Sequence, residues 1–245
     1  MKLALDIGNT RIKWGLREKN TWLKQGDLLT ENSHDLLHAL IQTHSPQAVH
    51  LANVSHHSLT LLLTNISQQL SVPIQVLTGE SALPPLVNLY HHPKQLGVDR
   101  WLSLFAARQF MTGPILVVNS GTATTIDALD SHNQFLGGVI IPGITMMEQA
   151  LNLGTANINA SQGHNVAWPR NSADALTRGA IEATIGAIKE RYNEFRELVG
   201  LSTVTLVISG GNRSLLSSHL SLPHHVIDNL TLEGLGFHID MCGSH

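Results

Sequence analysis

The sequence predicts an α/β protein built from two similar domains. Two observations lead to this fold class. The predicted order of elements, a β-hairpin followed by alternating helices and strands, occurs twice along the 245 residues. A buried strand that runs into a glycine-containing turn occurs at residues 3–10 and again at residues 117–122. A repeat of about half the chain implies two similar domains that face each other across a cleft.

The first half begins with a predicted hairpin. An apolar run at residues 2–5 ends at Asp6, and apolar and basic side chains then alternate over residues 11–17. A period of two is typical of a half-buried strand. Ser33 is placed to cap a helix. The further predicted elements are strands at 22–29, 48–54 and 74–77 and a helix at 58–70.

The second half repeats this order after a break in the chain at Thr112-Gly113-Pro114. Glycine and proline end the preceding helix, so we place the domain boundary near residues 109–114, with domains at 1–112 and 113–245. The predicted strands of the second half are 115–118, 124–128, 135–141, 204–208 and 225–227, and the predicted helices are 145–153, 172–198, 212–219 and 232–237.

Composition excludes several classes of protein. Hydrophobic residues make up 42% and the net charge is −3, so the chain lacks the low hydrophobicity and high charge of disordered proteins. It has no long basic run for nucleic acid, and no apolar window long enough to cross a membrane. The one cysteine, Cys242, suits a reducing compartment. We therefore expect a soluble cytoplasmic protein with no nucleic-acid or membrane partner.

The first motif with possible chemistry is Asp6-Ile7-Gly8-Asn9-Thr10. A strand delivers an acidic side chain, and a turn then exposes backbone N–H groups. Gly8 lets a phosphate approach the main chain, and Asp6 carries a charge that could hold Mg²⁺. The alternative is an ordinary hairpin turn, because glycine and asparagine favour turns on their own account.

The second motif, at residues 119–127, again places small and hydroxyl side chains directly after a buried strand. Strand propensity alone explains its β-branched threonines. It does not explain why the same design occurs twice. Two such loops facing one another would hold a polyphosphate from both sides.

Glycine pairs at 137–138 and 210–211 permit either close approach by a flat ligand such as adenine or tight packing.

The third motif is Gly97-Val98-Asp99-Arg100, which stands at the start of a predicted helix at 100–110. Aspartate is a good N-cap, and taken by itself the motif favours that role. The alternative is that Asp99 acts as a general base, with Arg100 binding an anionic group of the substrate.

The order and spacing of these motifs resemble the type III pantothenate kinases over essentially the whole chain. Residues 6–10 and 119–123 resemble the two phosphate loops of that family, and residues 97–100 resemble its Gly-x-Asp-Arg motif. Further matches are Gly137–Gly143, Ser209-Gly210-Gly211 and the segment 229–235.

This resemblance implies two RNase H-like domains with mixed sheets flanked by helices, as in the acetate and sugar kinase, heat-shock ATPase and actin superfamily. It also implies a homodimer that uses ATP and Mg²⁺ to phosphorylate pantothenate at its primary hydroxyl, the first step of coenzyme A synthesis. Asp99 corresponds to the proton acceptor. The implied ATP-binding residues are Asp6, Ile7, Gly8, Asn9, Thr10, Arg11, Ile12, Lys13 and Thr122, and the implied pantothenate-binding residues are Tyr90, Gly97, Val98, Asp99, Arg100 and Ser172.

Two positions depart from the family pattern. Ser172 stands where the family usually has a threonine, and it keeps the hydroxyl. Asn119 stands where the family usually has an aspartate that resembles a ligand for a monovalent cation. Because asparagine removes the negative charge, a K⁺ or NH₄⁺ site here should bind its ion more weakly, which leaves the need for such a cation open.

Two other functions remain open at this point. The chain could be a relative that binds nucleotide or pantothenate without turnover and acts as an accessory or regulatory factor. It could also be a superfamily kinase or phosphatase for another small substrate. Asp6, Asp99 and Arg100 are intact, which favours a catalytic kinase. Tyr90 and the Gly97–Arg100 motif favour pantothenate as the substrate.

Overall fold

The computed structural model describes residues 1–55, 57–154 and 163–243. Contacts between Cα atoms divide these residues into two units. The first unit comprises residues 1–110, 133–135 and the C-terminal segment from 229 onward. The second comprises 111–132 and 136–228.

The sheet of the first unit has five strands in the order β3-β2-β1-β4-β5. The first three strands are antiparallel, and β4 and β5 continue the sheet parallel to β1. The apolar side chains of β1 and β2 lie in the core of this unit with those of two helices. The elements are β1 (Lys2–Ile7), β2 (Arg11–Glu18), β3 (Thr21–Leu29), α1 (Ser33–His44), β4 (Val49–Asn53), α2 (His57–Leu70), β5 (Ile74–Leu77), β6 (Val87–Asn88) and α3 (Val98–Phe110).

The second sheet has six strands, and five of them repeat this arrangement in the order β9-β8-β7-β10-β11, with the short β6 outside β9. Strands β7 and β8 are antiparallel, whereas β10 and β11 run parallel to β7. This mixed order is the RNase H-like order seen in the first unit, so the predicted fold class is confirmed. The elements are β7 (Ile115–Ser120), β8 (Ala123–Leu129), β9 (Gln134–Pro142), α4 (Ile144–Gly154), α5 (Ser172–Leu198), β10 (Thr205–Ser209), α6 (Arg213–His219), β11 (His225–Val226) and α7 (Leu230–Met241).

Helix α7 lies in the first unit, although the sequence places it within the predicted domain 113–245. It packs against α3, where a Cβ on Gly234 would stand only 2.3 Å from the carbonyl oxygen of Leu102. The hydroxyls of Ser103 and Thr231 lie 3.2 Å apart between the same helices. The short strand β6 pairs with Gln134 and Phe135, which also belong to the first unit.

Arg17 differs from the exposed basic residue that the alternating pattern predicts. Its side chain is buried, and its Nε donates to Asp240 Oδ2 at 2.9 Å. Its guanidinium also lies 4.7 Å from the ring centroid of Trp22. A buried charge needs a partner, and α7 supplies it from more than two hundred residues away in the chain. Within the described residues no helix is long and apolar enough to span a membrane.

Candidate active site

Asp6 is the acidic group of the first candidate site. It lies near the end of β1 and is directly opposite Lys13 in the β1–β2 ladder, so the two side chains share a face of the sheet. Burial raises the pKa of Asp6 to about 7, Lys13 lowers it, and the nearby Asp99 raises it further. The residue as a whole is half-buried, so the shift reflects dense protein around the carboxyl rather than complete removal from water.

The turn after Asp6 is held by several hydrogen bonds. The N–H of Gly8 donates to the carbonyl of Arg11 at 3.0 Å, and the side chain of Arg11 forms an ion pair with Asp27. Thr30 contacts the same turn through its hydroxyl, which donates to the carbonyl of Gly8 at 3.0 Å. Asn9 and Thr10 are exposed at the tip of the turn. The predicted phosphate loop is therefore a well-anchored hairpin with a glycine at its entrance.

Ile7 and Ile12 belong to this predicted ATP-binding segment, but their side chains are fully buried in the core. They fix the two strands on either side of the turn. If they contact a ligand, they do so through main-chain atoms alone, because no side-chain atom is exposed.

Asp99 lies in the first turn of α3 rather than at its N-cap, because the helix begins at Val98. The first helical hydrogen bond runs from the N–H of Trp101 to the carbonyl of Gly97, 3.1 Å away. Asp99 Oδ1 accepts from the N–H of its own neighbour Arg100 at 2.8 Å. Asp99 therefore does not occupy the N-cap position that the sequence favours, although its carboxylate does accept a hydrogen bond from the first turn of the helix.

Burial raises the pKa of Asp99, and the backbone hydrogen bond and charge of Arg100 oppose that shift. A Cβ on residue 97 would stand 2.5 Å from Asp99 Oδ1, so glycine there lets the carboxylate fold back over the helix start. Val98 is buried beside it. A carboxylate with a raised pKa next to a second acidic group is a common feature of acid–base sites.

Arg100 is buried and forms the second half of this site. Its Nη1 donates to the phenolic oxygen of Tyr90 at 2.8 Å. Its guanidinium lies 5.7 Å from the ring centroids of both Tyr90 and Phe135, and those two rings stack at 5.3 Å. Such an arrangement holds the planar, charged guanidinium in one orientation, as recognition of a carboxylate requires. Phe135 carries no sequence signal for this role, since it comes from a distant strand.

The second candidate loop lies in the second unit. Strand β7 pairs with β10, which brings Asn119 next to Ser209 and the glycine turn after it. The N–H of Asn212 donates to the carbonyl of Ser120 at 3.0 Å. Gly210 has a φ of 93°, and a Cβ there would stand 2.3 Å from the same carbonyl and 2.7 Å from Asn119 Oδ1. Only glycine fits this approach.

Thr122 is exposed in the turn between β7 and β8, and its carbonyl accepts from the N–H of Gly143 at 3.0 Å. Gly143 ends one predicted glycine motif, so the structure brings that motif to the second loop. Ser172 is the exposed first residue of α5, whose N-cap is Asn171. Among the described residues, no group of three or more histidine, cysteine or acidic side chains could hold a metal ion.

Each unit thus contains an RNase H-like sheet with a glycine turn after its first strand, and the first unit adds a carboxylate of raised pKa at a helix start. A family model described as type III pantothenate kinase matches residues 2–194. A type III pantothenate kinase from Dechloromonas aromatica (strain RCB) is 37% identical over 238 residues, covering 96% of this chain and 97% of the relative. The chain belongs to the type III pantothenate kinase family, and it is a kinase.

Solved structures with the same fold are more distant in sequence. A structure described as a Baf family transcriptional activator from Campylobacter jejuni has a TM-score of 0.64 at 23% identity, covering 99% of this chain and 100% of the other. An inorganic polyphosphate/ATP-glucomannokinase from Arthrobacter sp. strain KM has a TM-score of 0.50 at 14% identity, with 98% of each chain covered. At these identities the likeness shows the fold alone.

Proposed function

We propose that this protein transfers the γ-phosphoryl group of ATP to the primary hydroxyl of pantothenate, the first step of coenzyme A biosynthesis. The observation that carries the proposal is the neighbouring pair of Asp99 and Arg100 at the start of α3. Asp99 offers a carboxylate whose pKa is raised, and Arg100 offers a buried guanidinium held by Tyr90. An alcohol and a carboxylate are the two groups of pantothenate that such a pair would recognise.

Asp99 acts as the proton acceptor in this proposal. Phosphoryl transfer passes through a loose transition state, so most of the catalysis comes from positioning and charge neutralisation. The hydroxyl proton is lost late, and the raised pKa of Asp99 makes its carboxylate a better base at neutral pH. Gly97 and Val98 support this position, and Tyr90 and Arg100 orient the carboxylate end of pantothenate.

Asp6 is proposed to face Mg²⁺ bound to ATP. Its pKa of about 7 shows that its charge is poorly compensated in the protein alone, and a divalent cation would favour the ionised form. When bound, Mg²⁺ would neutralise charge on the phosphates. The residues proposed to hold the phosphates are those of the first turn, Asp6 to Lys13, together with Thr122.

Three further assignments belong to this proposal. The two units correspond to the two RNase H-like domains, which divide near residue 112, with residues 133–135 and α7 returning to the first domain. Ser172 contributes a hydroxyl to pantothenate. The active form is a homodimer, which family membership supports.

A coupled assay of ADP release tests the function. Purified protein with ATP, Mg²⁺ and pantothenate should release ADP, and omission of pantothenate should stop the reaction. Glucose and N-acetylmannosamine are tested in parallel as alternative phosphoryl acceptors in place of pantothenate. Binding of ATP without ADP release would favour the accessory-factor alternative, and release with a sugar instead would favour another substrate.

Arg100→Lys should raise the KM for pantothenate while leaving the KM for ATP close to that of the wild type. Lysine keeps the charge but loses the planar fork that Tyr90 holds. A hydrogen bond to a charged group contributes about 1.5–3 kcal/mol, so we expect a rise of about 10- to 150-fold. Arg178→Lys is the matched control, because Arg178 pairs with Glu182 on the surface of α5. An unchanged KM for pantothenate in Arg100→Lys would remove Arg100 from the substrate site.

Asn119→Asp should make the enzyme more responsive to K⁺. We propose that the wild-type chain responds weakly to monovalent cations, because the Asn119 amide oxygen beside Gly210 carries no negative charge. The measurement is turnover against K⁺ concentration for both proteins, with Na⁺ keeping the ionic strength constant. A wild type that strictly requires K⁺, or an Asn119→Asp variant with an unchanged response, would contradict this.

A further inference from the structure

Thr30 forms hydrogen bonds with both sides of the first phosphate loop, although Thr30 lies about twenty residues after that loop in the chain. Its hydroxyl donates to the carbonyl of Gly8 at 3.0 Å, and its own N–H donates to the carbonyl of Thr10 at 3.1 Å. One half-buried residue, the first of a short 3₁₀ helix (Thr30–Asn32) that follows β3, therefore holds two carbonyl oxygens of the turn that precedes β2.

The orientation of these carbonyls decides what the loop presents to a ligand. A trans peptide unit is planar, and its C=O and N–H groups point in opposite directions. Holding the carbonyl of Gly8 toward Thr30 therefore aims the N–H of Asn9 away from Thr30. The bond to the carbonyl of Thr10 does the same for the N–H of Arg11. The N–H groups of Asn9 and Arg11 therefore both face away from Thr30, and two such donors in one turn are groups that an anion can bind.

Thr30 is itself held by a hydrogen bond from the first residue of α1. The hydroxyl of Ser33, a buried residue, donates to the carbonyl of Thr30 at 2.8 Å. The sequence predicts Ser33 to be a helix cap, whereas the structure uses its hydroxyl as a donor. A chain of two hydrogen bonds thus runs from the first turn of α1 through Thr30 to Gly8.

We propose that Thr30 is a positioning residue for ATP: its hydroxyl sets the orientation of the Gly8–Asn9 peptide so that the loop offers N–H groups, rather than carbonyl oxygens, to the phosphates. The inference rests on the proposed function of this loop as a phosphate site. Without the hydroxyl, the Gly8 carbonyl loses its hydrogen-bond donor and is less firmly held away from the ligand, and a carbonyl oxygen repels a phosphate. Only binding of the phosphates depends on this peptide, so pantothenate binding is unaffected.

The test compares Thr30→Val, which has nearly the same shape without the donor, with Thr30→Ser, which keeps the donor. Titration calorimetry with ATP and Mg²⁺ should give a dissociation constant about 3- to 10-fold higher for Thr30→Val, as expected for one hydrogen bond. Thr30→Ser should bind ATP like the wild type. Thr30→Ala provides a second variant without the hydroxyl in case the valine form does not fold.

Thr64→Val is the matched control, because the Thr64 hydroxyl donates to the Thr60 carbonyl at 2.8 Å within α2. It should leave ATP affinity unchanged at a similar cost in melting temperature. Wild-type ATP affinity in both Thr30→Val and Thr30→Ala, or equal losses in Thr30→Ser and Thr30→Val, would overturn the proposal. A wild type that binds ATP but does not phosphorylate pantothenate would instead refute the proposed function and leave the role of Thr30 standing.

Discussion

Asp99→Asn is expected to lower the turnover number about 10²–10⁴-fold, the usual contribution of a positioned base. Asparagine has nearly the same size and still offers an oxygen to the N–H of Arg100, so the start of α3 should remain intact. It has no carboxylate to accept the hydroxyl proton. ATP affinity should stay close to the wild-type value, because Asp99 is not among the proposed ATP ligands.

Asp35→Asn is a suitable control for this variant. Asp35 is also an aspartate in the first turn of a helix, and its side chain is exposed on α1. Its loss removes the same favourable interaction with a helix N-terminus but no proposed base. Normal turnover in Asp99→Asn, or an equal fall in both variants, would limit Asp99 to a structural role in its helix.

Asp6→Asn is expected to have two opposite effects, a loss of Mg²⁺-dependent ATP use and a gain in stability. The first follows because asparagine removes the charge proposed to face the metal ion. The second follows because burial raises the pKa of Asp6 from 3.8 to about 7. Ionising a group with a raised pKa costs folding free energy, since the charged form is favoured in the unfolded chain.

The pKa values of Asp6 in the unfolded chain, 3.8, and in the folded protein, about 7, set the sign and the pH range of the stability effect. Between about pH 4 and pH 7 the folded protein holds a proton on Asp6 that the unfolded chain has lost, so the stability of the wild type falls as the pH rises through this range. Each pKa unit corresponds to about 1.4 kcal/mol, and the partial exposure of Asp6 reduces the total to about 1–4 kcal/mol. The stability of the Asp6→Asn variant should not show this fall between pH 4 and pH 7.

Urea unfolding of both proteins at several pH values, in the absence of ATP, measures this effect. Glu18→Gln is the control, since Glu18 is an exposed carboxylate on the neighbouring strand. We expect Asp6→Asn to be more stable than the wild type at pH 8 and similar at pH 4. Equal stability at both values would show that the Asp6 carboxyl is not desolvated, and an unchanged Mg²⁺ dependence of ATP use would contradict its proposed role.

Local patterns in the sequence predict most of the fold. The alternation over residues 11–17 predicts β2, and the helix expected at 172–198 has the bounds of α5. Both signals are periodic and need no distant partner. Helix α7 is expected only at 232–237 but runs from Leu230 to Met241. Most of its residues up to Ile239 are buried, so it lacks the amphipathic pattern that would mark its ends.

Features that depend on distant partners are not predictable in this way. Strand β6 has two residues, and its pairing partner is the start of β9. The burial of Arg17 depends on Asp240, and the stacking beside Arg100 depends on Phe135. Nothing within a few residues of these positions indicates such contacts.

The candidate site also combines features that local sequence patterns predict with features that depend on distant residues. The sequence predicts the candidate phosphate loop of the first unit because its glycine and its acidic residue are only two positions apart in the chain. The approach of Asp99 to Asp6 and the donation from Arg100 to Tyr90 require the folded unit. The sequence does not point to Thr30, because a threonine directly after a strand is ordinary and its two acceptors belong to a different turn.

The location of the transferred phosphate tests the central claim most directly. Phosphorus–proton correlation by NMR, after incubation of the protein with ATP, Mg²⁺ and pantothenate, identifies the carbon that carries the new phosphate. We predict ADP and one phosphomonoester coupled to the methylene protons of the primary alcohol, with neither formed by Asp99→Asn over the same time. Phosphate on the secondary alcohol, ATP left intact by the wild type, or wild-type yields from Asp99→Asn would contradict the claim.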